Sequence, residues 1–322
     1  LAVHGERHGV VKINAMPHPH IHIHPEVAEA LKNGEPVVAL ESTIVAHGMP
    51  YPENLENAQV LEGLVRAGGA TPATVAVANG QIHVGCDADL MHALASESDV
   101  WKVSRRDLPL ALSRGILGAT TVSGTLIGAR FARIPVFATG GIGGVHRGVA
   151  ATWDISADLA ELTQAPVAVV SAGAKSILDL PKTLEVLESL GVPVVGYQTD
   201  EFPAFFVRQS GLKLPHRCDR PEDVAAAMHA KWALGLEGGF LIANPIPEEN
   251  SIDPELVERA INAGLEAASE QGVHGKALTP FLLRFINGAT EGQSLAANRK
   301  LVENNVRVGT EIARAFAAKR SA

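Results

Sequence analysis

The stretch Val167-Ala-Val-Val-Ser-Ala-Gly-Ala-Lys-Ser-Ile-Leu-Asp179 decides the fold class of this chain. Its first part, Val167–Ser171, is rich in β-branched residues and predicts a short buried strand that ends before Gly173. Lys175 follows, and the residues from Ser176 to Leu190 have the pattern of a helix. This order is typical of α/β proteins, in which ligands bind at the carboxyl ends of the strands.

Lys175 has two interpretations at such a position. Enclosure by Ala172, Ala174 and Ile177 would desolvate the amine and favour its deprotonated form, which attacks carbonyl carbons and forms Schiff bases. The alternative is a lysine that caps a loop and points into water. The polar residues elsewhere in the chain favour the first interpretation.

Composition limits the classes of protein to which this chain can belong. Its 322 residues, 46% of them hydrophobic, suffice for one large domain or two small ones. The net charge of −8 and the lack of any long run of Lys or Arg give no reason to expect nucleic-acid binding. No apolar run approaches membrane-spanning length, and the N-terminus lacks the pattern of a signal peptide. Cys86 and Cys218 lack metal-ligand spacing, so we expect free thiols in a cytoplasmic protein.

The first 24 residues differ in pattern from the rest. They are polar and rich in histidine, so we expect a flexible tail over residues 1–24. His18, His20, His22 and His24 alternate, and in an extended strand they would share one face that could hold a transition metal. A solvated tail with incidental metal affinity is the alternative.

From residue 25 onward, strand-like and helix-like segments alternate. The strand candidates are Pro36–Leu40, Ala73–Ala78, Gln81–Val84, Ile134–Thr139, Val167–Ser171, Val194–Tyr197 and Gly239–Ala243. The helix candidates include Glu26–Lys32, Tyr51–Ala67, Asp87–Ala95, Leu108–Leu112, Asp154–Leu162, Ile177–Leu190, Pro221–Leu234, Pro254–Gln271 and Leu295–Lys319. This alternation predicts a layered α/β/α fold with a mixed, largely parallel central sheet. Neither a linker nor an internal repeat divides the chain, so we expect a single domain over residues 25–322.

The segment Ala39-Leu-Glu-Ser-Thr-Ile-Val-Ala-His-Gly-Met-Pro50 carries the first polar cluster. Glu41 directly follows an apolar strand, where burial would favour the protonated form that a general acid needs. Ser42, Thr43 and His47 add donors and acceptors nearby. A carboxylate satisfied by backbone amides at a turn would give the same pattern.

The segment Phe137-Ala-Thr-Gly-Gly-Ile-Gly-Gly-Val-His-Arg-Gly148 carries the second cluster. Four glycines directly after a strand allow backbone N–H groups to converge on an anion, and His146 and Arg147 add positive donors. The segment is neither a Walker A loop nor a Rossmann fingerprint. A plain glycine-rich turn is the alternative.

The segment Trp153-Asp-Ile-Ser-Ala-Asp158 carries two carboxylates with four-residue spacing. Asp154 and Asp158 would face one side of a helix start, with Ser156 between them. Such carboxylates suit a hard divalent cation that keeps most of its waters. An N-cap with acidic residues in the first turn would look the same.

The fourth cluster combines Lys102-Val-Ser-Arg-Arg-Asp-Leu-Pro109 with Gly118-Ala-Thr-Thr-Val-Ser-Gly124. A lysine and two arginines beside small hydroxyl residues could clamp a phosphate. The alternative is a solvated charged turn. Together, the four clusters and Lys175 supply an acid, an anion site, a metal carboxylate and an amine nucleophile. This set suits a phosphorylated sugar with a latent aldehyde.

With these residues identified, the chain resembles the pseudouridine-5′-phosphate glycosidase family from about Pro36 to Ala313. The segments that carry the resemblance are Leu40-Glu-Ser-Thr-Ile, His47-Gly-Met-Pro-Tyr-Pro, Gly69-Ala-Thr-Pro-Ala-Thr, Lys102-Val-Ser-Arg-Arg-Asp-Leu, Gly118-Ala-Thr-Thr-Val-Ser-Gly-Thr, Ala138-Thr-Gly-Gly-Ile-Gly-Gly-Val-His-Arg-Gly, Asp154-Ile-Ser-Ala-Asp-Leu, Ser171-Ala-Gly-Ala-Lys-Ser-Ile-Leu-Asp, Thr199-Asp-Glu-Phe-Pro-Ala-Phe, Asn244-Pro-Ile-Pro and Gly275-Lys-Ala-Leu-Thr-Pro-Phe-Leu-Leu. The histidine-rich tail is the one departure, and no catalytic position is missing.

The resemblance implies a metal-dependent enzyme of the hydro-lyase type that reversibly splits pseudouridine 5′-phosphate into uracil and ribose 5-phosphate. It implies Lys175 as the nucleophile, Glu41 as the proton donor and Asp154 as the ligand of one Mn²⁺, or another divalent cation such as Mg²⁺, per subunit. The residues implied to contact the substrate are Lys102, Val122, Thr139, His146, Ser156, Ala157, Asp158 and Asn298. It also implies a homotrimer.

Elementary chemistry agrees with this assignment. The base is joined to C1′ by a carbon–carbon bond, so there is no heteroatom leaving group for a single carboxylic acid to protonate. Opening the ribose exposes C1′ to an amine, and the resulting iminium can stabilise charge as the bond breaks. Two other interpretations are open at this point: an aldolase-type lyase that acts on a different phosphosugar, and a non-catalytic sugar-phosphate sensor.

Overall fold

The structure is a computed structural model that describes residues 18–320. Its strands in this range are β1 (Ile21–Ile23), β2 (Val37–Glu41), β3 (Thr71–Ala78), β4 (Gln81–Val84), β5 (Trp101–Val103), β6 (Gly118–Thr120), β7 (Val136–Ala138), β8 (Ala168–Ser171), β9 (Val194–Tyr197), β10 (Arg217–Cys218) and β11 (Phe240–Ala243).

The helices in the same range surround this sheet. They are α1 (Pro25–Asn33), α2 (Thr43–His47), α3 (Glu53–Ala67), α4 (Ala88–Ser96), α5 (Leu108–Ser113), α6 (Val122–Ala132), α7 (Val149–Thr152), α8 (Ala157–Leu162), α9 (Leu180–Ser189), α10 (Pro221–Ala233), α11 (Pro254–Glu270), α12 (Leu278–Ala289) and α13 (Gln293–Arg320). Short 3₁₀ turns lie at Glu248–Asn250 and Gly275–Ala277.

One sheet joins all of these strands. Its main path runs β1-β4-β3-β2-β7-β8-β11-β9-β10, while β6 pairs with β3 and β5 pairs with β6. The strand pairs between residues 18 and 320 are parallel except β3 with β4 and β3 with β6. The predicted α/β fold with a mixed, largely parallel sheet is therefore confirmed.

Helices cover the central strands closely, which explains why these strands are continuous hydrophobic runs. Every residue of β8 is buried, and so are the first four of β2. Helix α13 packs on β2, β7 and β8, and a Cβ at Gly309 would lie only 3.1 Å from the Cβ of Ala138. Helix α6 packs on β2, β3 and β4, and Gly128 permits this approach because a Cβ there would be 2.6 Å from Val75.

The order of the central strands brings three segments of the site together. Strands β2, β7 and β8 are adjacent and parallel, so the residues that follow them emerge at one edge of the sheet. Glu41 is the last residue of β2, Thr139 follows β7, and Lys175 lies four residues beyond β8.

Part of the predicted flexible tail, residues 21–23, is a β-strand in the structure. Residues 1–17 lie outside the described residues, but Ile21–Ile23 forms β1 and pairs in parallel with β4. Both isoleucines pack against the core, and β4 offers an open strand edge to them, so the tail prediction is wrong for these three residues. Between residues 18 and 320 no three His, Cys, Asp or Glu side chains form a group that could hold a metal ion, and the alternating histidines are included in that finding.

The segment after Lys175 also differs from the prediction, because α9 begins at Leu180 and not at Ser176. Isolated bridges from Ala174 to Ile142 and from Leu178 to His146 hold this segment against the glycine-rich loop, and Ser176 and Ile177 form a turn between the two bridges. Asp179 then caps α9 by accepting a hydrogen bond from the backbone N–H of Lys182. These contacts fix the backbone on both sides of Lys175.

Two other expectations concern the described part of the chain. Cys86 and Cys218 are free thiols, as predicted. Within residues 18–320 we find no helix whose length and apolar content would let it cross a membrane.

Candidate active site

A cavity of about 550 Å³ lies at the edge where β2, β7 and β8 end. Ten of the eleven residues proposed from the sequence line it: Glu41, Lys102, Val122, His146, Asp154, Ser156, Ala157, Asp158, Lys175 and Asn298. Thr139, the eleventh, lies behind the lining and contacts Glu41. The fold thus assembles one site from segments that are far apart in the sequence.

Lys175 occupies an enclosed position at one wall of the cavity. Its neighbours Ala172, Ala174 and Ile177 are buried, as the sequence predicts, and its Nζ donates a hydrogen bond of 2.6 Å to the carbonyl of Gly141. The turn before it requires glycine, because Gly173 has φ +78° and a Cβ there would clash with the carbonyl of Pro203. The amine is half-buried and held toward the glycine-rich loop, where a substrate carbon can reach it.

Glu41 lies at another wall, and each of its carboxylate oxygens accepts a hydrogen bond. Thr43 Oγ1 donates to Oε2 at 2.6 Å, and Thr139 Oγ1 donates to Oε1. The alternative considered for Glu41, a carboxylate satisfied by backbone amides, is not what these side-chain contacts show. The group can exchange a proton with a ligand while its orientation stays fixed.

Buried hydroxyls anchor the backbone beside Glu41. Ser42 Oγ donates to the carbonyl of Val75 and accepts a hydrogen bond from the N–H of Thr120. Thr120 Oγ1 also donates to Val75 and contacts Thr125 in α6. This network ties the end of β2 to β3, β6 and α6, which fixes the wall that carries the acid.

Asp158 links two walls of the cavity. Its side chain is buried, and its oxygens accept hydrogen bonds from the backbone N–H groups of Ser123 at 2.9 Å and Gly143 at 2.8 Å. The prediction that Asp154 and Asp158 share a helix face is wrong, because α8 begins only at Ala157 and Ser156 is its N-cap. Asp158 therefore turns inward, whereas Asp154 stays at the cavity surface.

Several N–H groups of the predicted anion cradle in the glycine-rich loop bind acceptors within the protein. The backbone N–H groups of residues 139, 142, 143, 145 and 146 all donate to protein acceptors, so they are not free for a ligand. The glycines instead allow close packing, since a Cβ at Gly141 would lie 2.6 Å from the ring of Phe205, and one at Gly144 would clash with Thr183. Arg147 pairs with Glu258 in α11, outside the cavity lining.

The cations that line the cavity perturb one another. Burial lowers the pKa of Lys102, and the charge of Lys175 lowers it further, against the opposing effects of Asp158 and Glu41. Burial also lowers the pKa of His146; Asp154 opposes this shift, while Lys102 and Lys175 add to it. The positive charges of Lys102 and Lys175 repel each other, and an anionic ligand would relieve that repulsion.

Arg105, by contrast, has a structural partner. Its guanidinium binds both oxygens of the fully buried Glu161, at 2.6 and 2.9 Å, and also contacts Gln164. All three cations of the predicted clamp line the cavity, but Arg105 is engaged by Glu161 and Arg106 is largely exposed, so Lys102 is the half-buried cation among them.

Several residues of the cavity were not assigned from the sequence. Phe205, with φ +62°, covers the glycine-rich loop. His47, which the sequence placed near Glu41, lines the cavity from the end of α2. The start of α12 and the turn before it supply a further wall, made of Gly275, Lys276, Thr279, Pro280 and Leu283. Lys276 pairs with Asp107 across the cavity mouth. Positive φ and long-range ion pairs leave no local signal in the sequence.

Comparison with known proteins gives close relatives over almost the whole chain. The profile of the family described as "Indigoidine synthase A like protein" matches residues 26–315. A pseudouridine-5′-phosphate glycosidase from Caldanaerobacter subterraneus subsp. tengcongensis is 54% identical over 293 residues, which cover 91% of this chain and 95% of the relative. One from Paracoccus denitrificans is 54% identical over 301 residues, which cover 93% and 99%.

Solved structures share the fold. The prealnumycin C-glycosynthase AlnA, in complex with ribulose 5-phosphate, is 40% identical with a TM-score of 0.88, over 95% of this chain and 99% of its own. An indigoidine synthase A-like protein from Thermotoga maritima is 35% identical with a TM-score of 0.83, over 98% of this chain and 100% of its own.

Proposed function

We propose that this chain reversibly cleaves pseudouridine 5′-phosphate to uracil and ribose 5-phosphate. The chain belongs to the indigoidine synthase A like family, which includes the pseudouridine-5′-phosphate glycosidases. The observation that carries the proposal is that an enclosed lysine, Lys175, and a carboxylic acid, Glu41, line one cavity with several cations. The C-glycosynthase relative, which binds a five-carbon sugar phosphate, supports the same class of ligand.

Lys175 is the nucleophile in this proposal. The C1′–O4′ bond opens with electrons supplied by the uracil ring, and the Lys175 amine then adds to C1′. The bond from C1′ to the base breaks as the nitrogen lone pair forms an iminium at C1′, and the electrons of the broken bond stay on the uracil ring, where C5 takes up a proton. Glu41 supplies a proton, either to the ring oxygen or to C5 of uracil. Water from the medium then hydrolyses the imine and releases ribose 5-phosphate. The half-buried position of Lys175 and the fixed orientation of Glu41 support these roles.

The 5′-phosphate is bound by Lys102 and His146. Both line the cavity, and both experience the positive charge of Lys175, so a dianion placed between them gains charge-assisted contacts. Val122, Ser156, Ala157 and Asn298 complete the surface around the sugar and base. Asp158 contributes through the backbone that it fixes.

A divalent cation, Mn²⁺ or Mg²⁺, is proposed at Asp154, one per subunit. Among the cavity carboxylates that the structure describes, Asp154 is the one whose side-chain oxygens have neither a hydrogen bond nor a salt bridge, whereas Glu41, Asp107 and Asp158 are engaged. One carboxylate with waters and substrate oxygens suffices for such a cation. The donor set therefore fits the metal. When bound, the cation would supply positive charge to substrate oxygens.

We further propose a homotrimer in the cytoplasm, as the family resemblance implies. Trp153, Leu234 and Leu236 are large apolar side chains exposed on the single chain, and subunit contacts would cover such groups. Sedimentation of the purified protein at three times the chain mass would support the trimer, and a monomer would contradict it.

Release of uracil from pseudouridine 5′-phosphate tests the proposed function directly. Wild-type protein with Mn²⁺ should release uracil, and Lys175→Met, which keeps the side-chain volume but removes the amine, should release none. An aldolase-type lyase would instead split other phosphosugars and leave pseudouridine 5′-phosphate intact. A sugar-phosphate sensor would bind the compound without turnover, and either result would contradict the proposal.

A further inference from the structure

The two oxygens of Glu41 have threonine partners in different surroundings. Thr139, which donates to Oε1, is only 2% exposed and lies behind the cavity lining. Thr43, which donates to Oε2 at 2.6 Å, is half-buried and lines the cavity. One oxygen of the carboxylate is thus bound on the protein side and the other on the cavity side.

Both hydroxyls are held by well-anchored backbone. The N–H of Thr139 donates to Val170, and its carbonyl accepts a hydrogen bond of 2.8 Å from Nδ2 of the fully buried Asn305. Asn305 is in turn bonded to Asn244. Thr43 follows Ser42, whose hydroxyl is fixed on Val75. These contacts set the positions of the two donors before any ligand binds.

We infer that Thr43 and Thr139 are positioning residues for Glu41, and that Oε2 is the oxygen through which Glu41 gives its proton to the substrate. This inference rests on the proposed function. The proton leaves Oε2 for the substrate, the electron pair of the broken O–H bond stays on the carboxylate, and the two hydroxyls then stabilise that charge. Oε1 takes no part in the transfer, because a buried hydroxyl occupies its side of the group.

The test removes each hydroxyl and then restores it. Thr43→Val and Thr139→Val should each lower kcat for uracil release about 10- to 100-fold, the usual range for a hydrogen bond to a charged group, with KM nearly unchanged. Thr43→Ser and Thr139→Ser should recover most of the lost rate. Thr310→Val is the matched control, because this buried hydroxyl donates to Val306 within α13, and it should keep the parental kcat.

The outcomes separate this inference from the proposed function. If the wild type releases no uracil, both are overturned. If the wild type is active and the two valine variants keep its kcat, or change only KM, the positioning role alone is overturned. A crystal structure with ribose 5-phosphate bound provides the second readout. Oε2 should lie nearer to the ligand than Oε1, and the reverse order would overturn the assignment of the oxygen.

Discussion

Replacement of Asp158 by Asn tests how the walls of the cavity are joined. The side chain is 6% exposed, and its oxygens accept from the backbone N–H groups of Ser123 and Gly143. An Asn side chain has the same size but offers one acceptor oxygen and an NH₂ group. That NH₂ must face one of the two backbone donors, so one backbone N–H and the NH₂ group itself are left without an acceptor.

The expected cost follows from those lost hydrogen bonds. A buried donor left without a partner costs about 1–3 kcal/mol, so the two in Asp158→Asn should destabilise the protein by roughly 2–6 kcal/mol. For a chain of 322 residues that corresponds to a fall in Tm of about 3–9 °C. The affinity for substrate should fall as well, since Asp158 and Gly143 line the cavity.

Thermal unfolding with and without ribose 5-phosphate measures both effects. Asp253→Asn is the matched control, because Asp253 is the exposed N-cap of α11 and Asn caps helices equally well. A Tm for Asp158→Asn that equals that of the control would refute the role assigned to these two hydrogen bonds.

Three further predictions concern the phosphate, the metal and pH. Lys102→Ala should raise KM for pseudouridine 5′-phosphate by about one to two orders of magnitude, since a charge-assisted contact contributes roughly 1.5–3 kcal/mol; an equal effect with the unphosphorylated nucleoside would refute it. Removal of divalent metal with a chelator should abolish uracil release, and added Mn²⁺ or Mg²⁺ should restore it. If the Asp154→Ala variant kept full activity after the same treatment, Asp154 would not be a metal ligand. Burial raises the pKa of Glu62 from 4.5, while Thr74 and Arg66 oppose this shift. The native state therefore holds this proton more tightly than the unfolded state does, and its stability falls as the pH rises from 4.5 through the folded-state pKa. Glu62→Gln should therefore raise Tm at neutral pH and lose this advantage below pH 4.5, and a gain independent of pH would contradict the assignment.

The elements that could be predicted are those with a strong hydrophobic pattern. The runs Gln81–Val84 and Val194–Tyr197 are strands with the predicted bounds. Strands β5 and β6 escaped detection because each has only three residues, and their pairing is set by tertiary contacts. Helix α6 escaped because Ser123, Gly124 and Gly128 are weak helix formers. It forms because close packing on β2, β3 and β4 outweighs that propensity.

The sequence was enough to predict which residues form the site, but not the contacts between them. Glu41 ends a strand and Lys175 follows one, and together with the family motifs this placement was enough to select them. The partners of Glu41 depend on register between strands, because Thr139 lies 98 residues away in sequence. The inward turn of Asp158 likewise depends on Ser123 and Gly143, which no local pattern connects to it.

Chemical trapping of the imine tests the central claim most directly, namely that Lys175 is the nucleophile. Lys102 is the serious competitor, because burial and the charge of Lys175 lower its pKa and so favour its free amine. Borohydride added while the protein acts on pseudouridine 5′-phosphate should reduce the imine to a stable ribitol-phosphate adduct. Peptide mass spectrometry should find that adduct on Lys175, and an adduct on Lys102 instead would contradict the account.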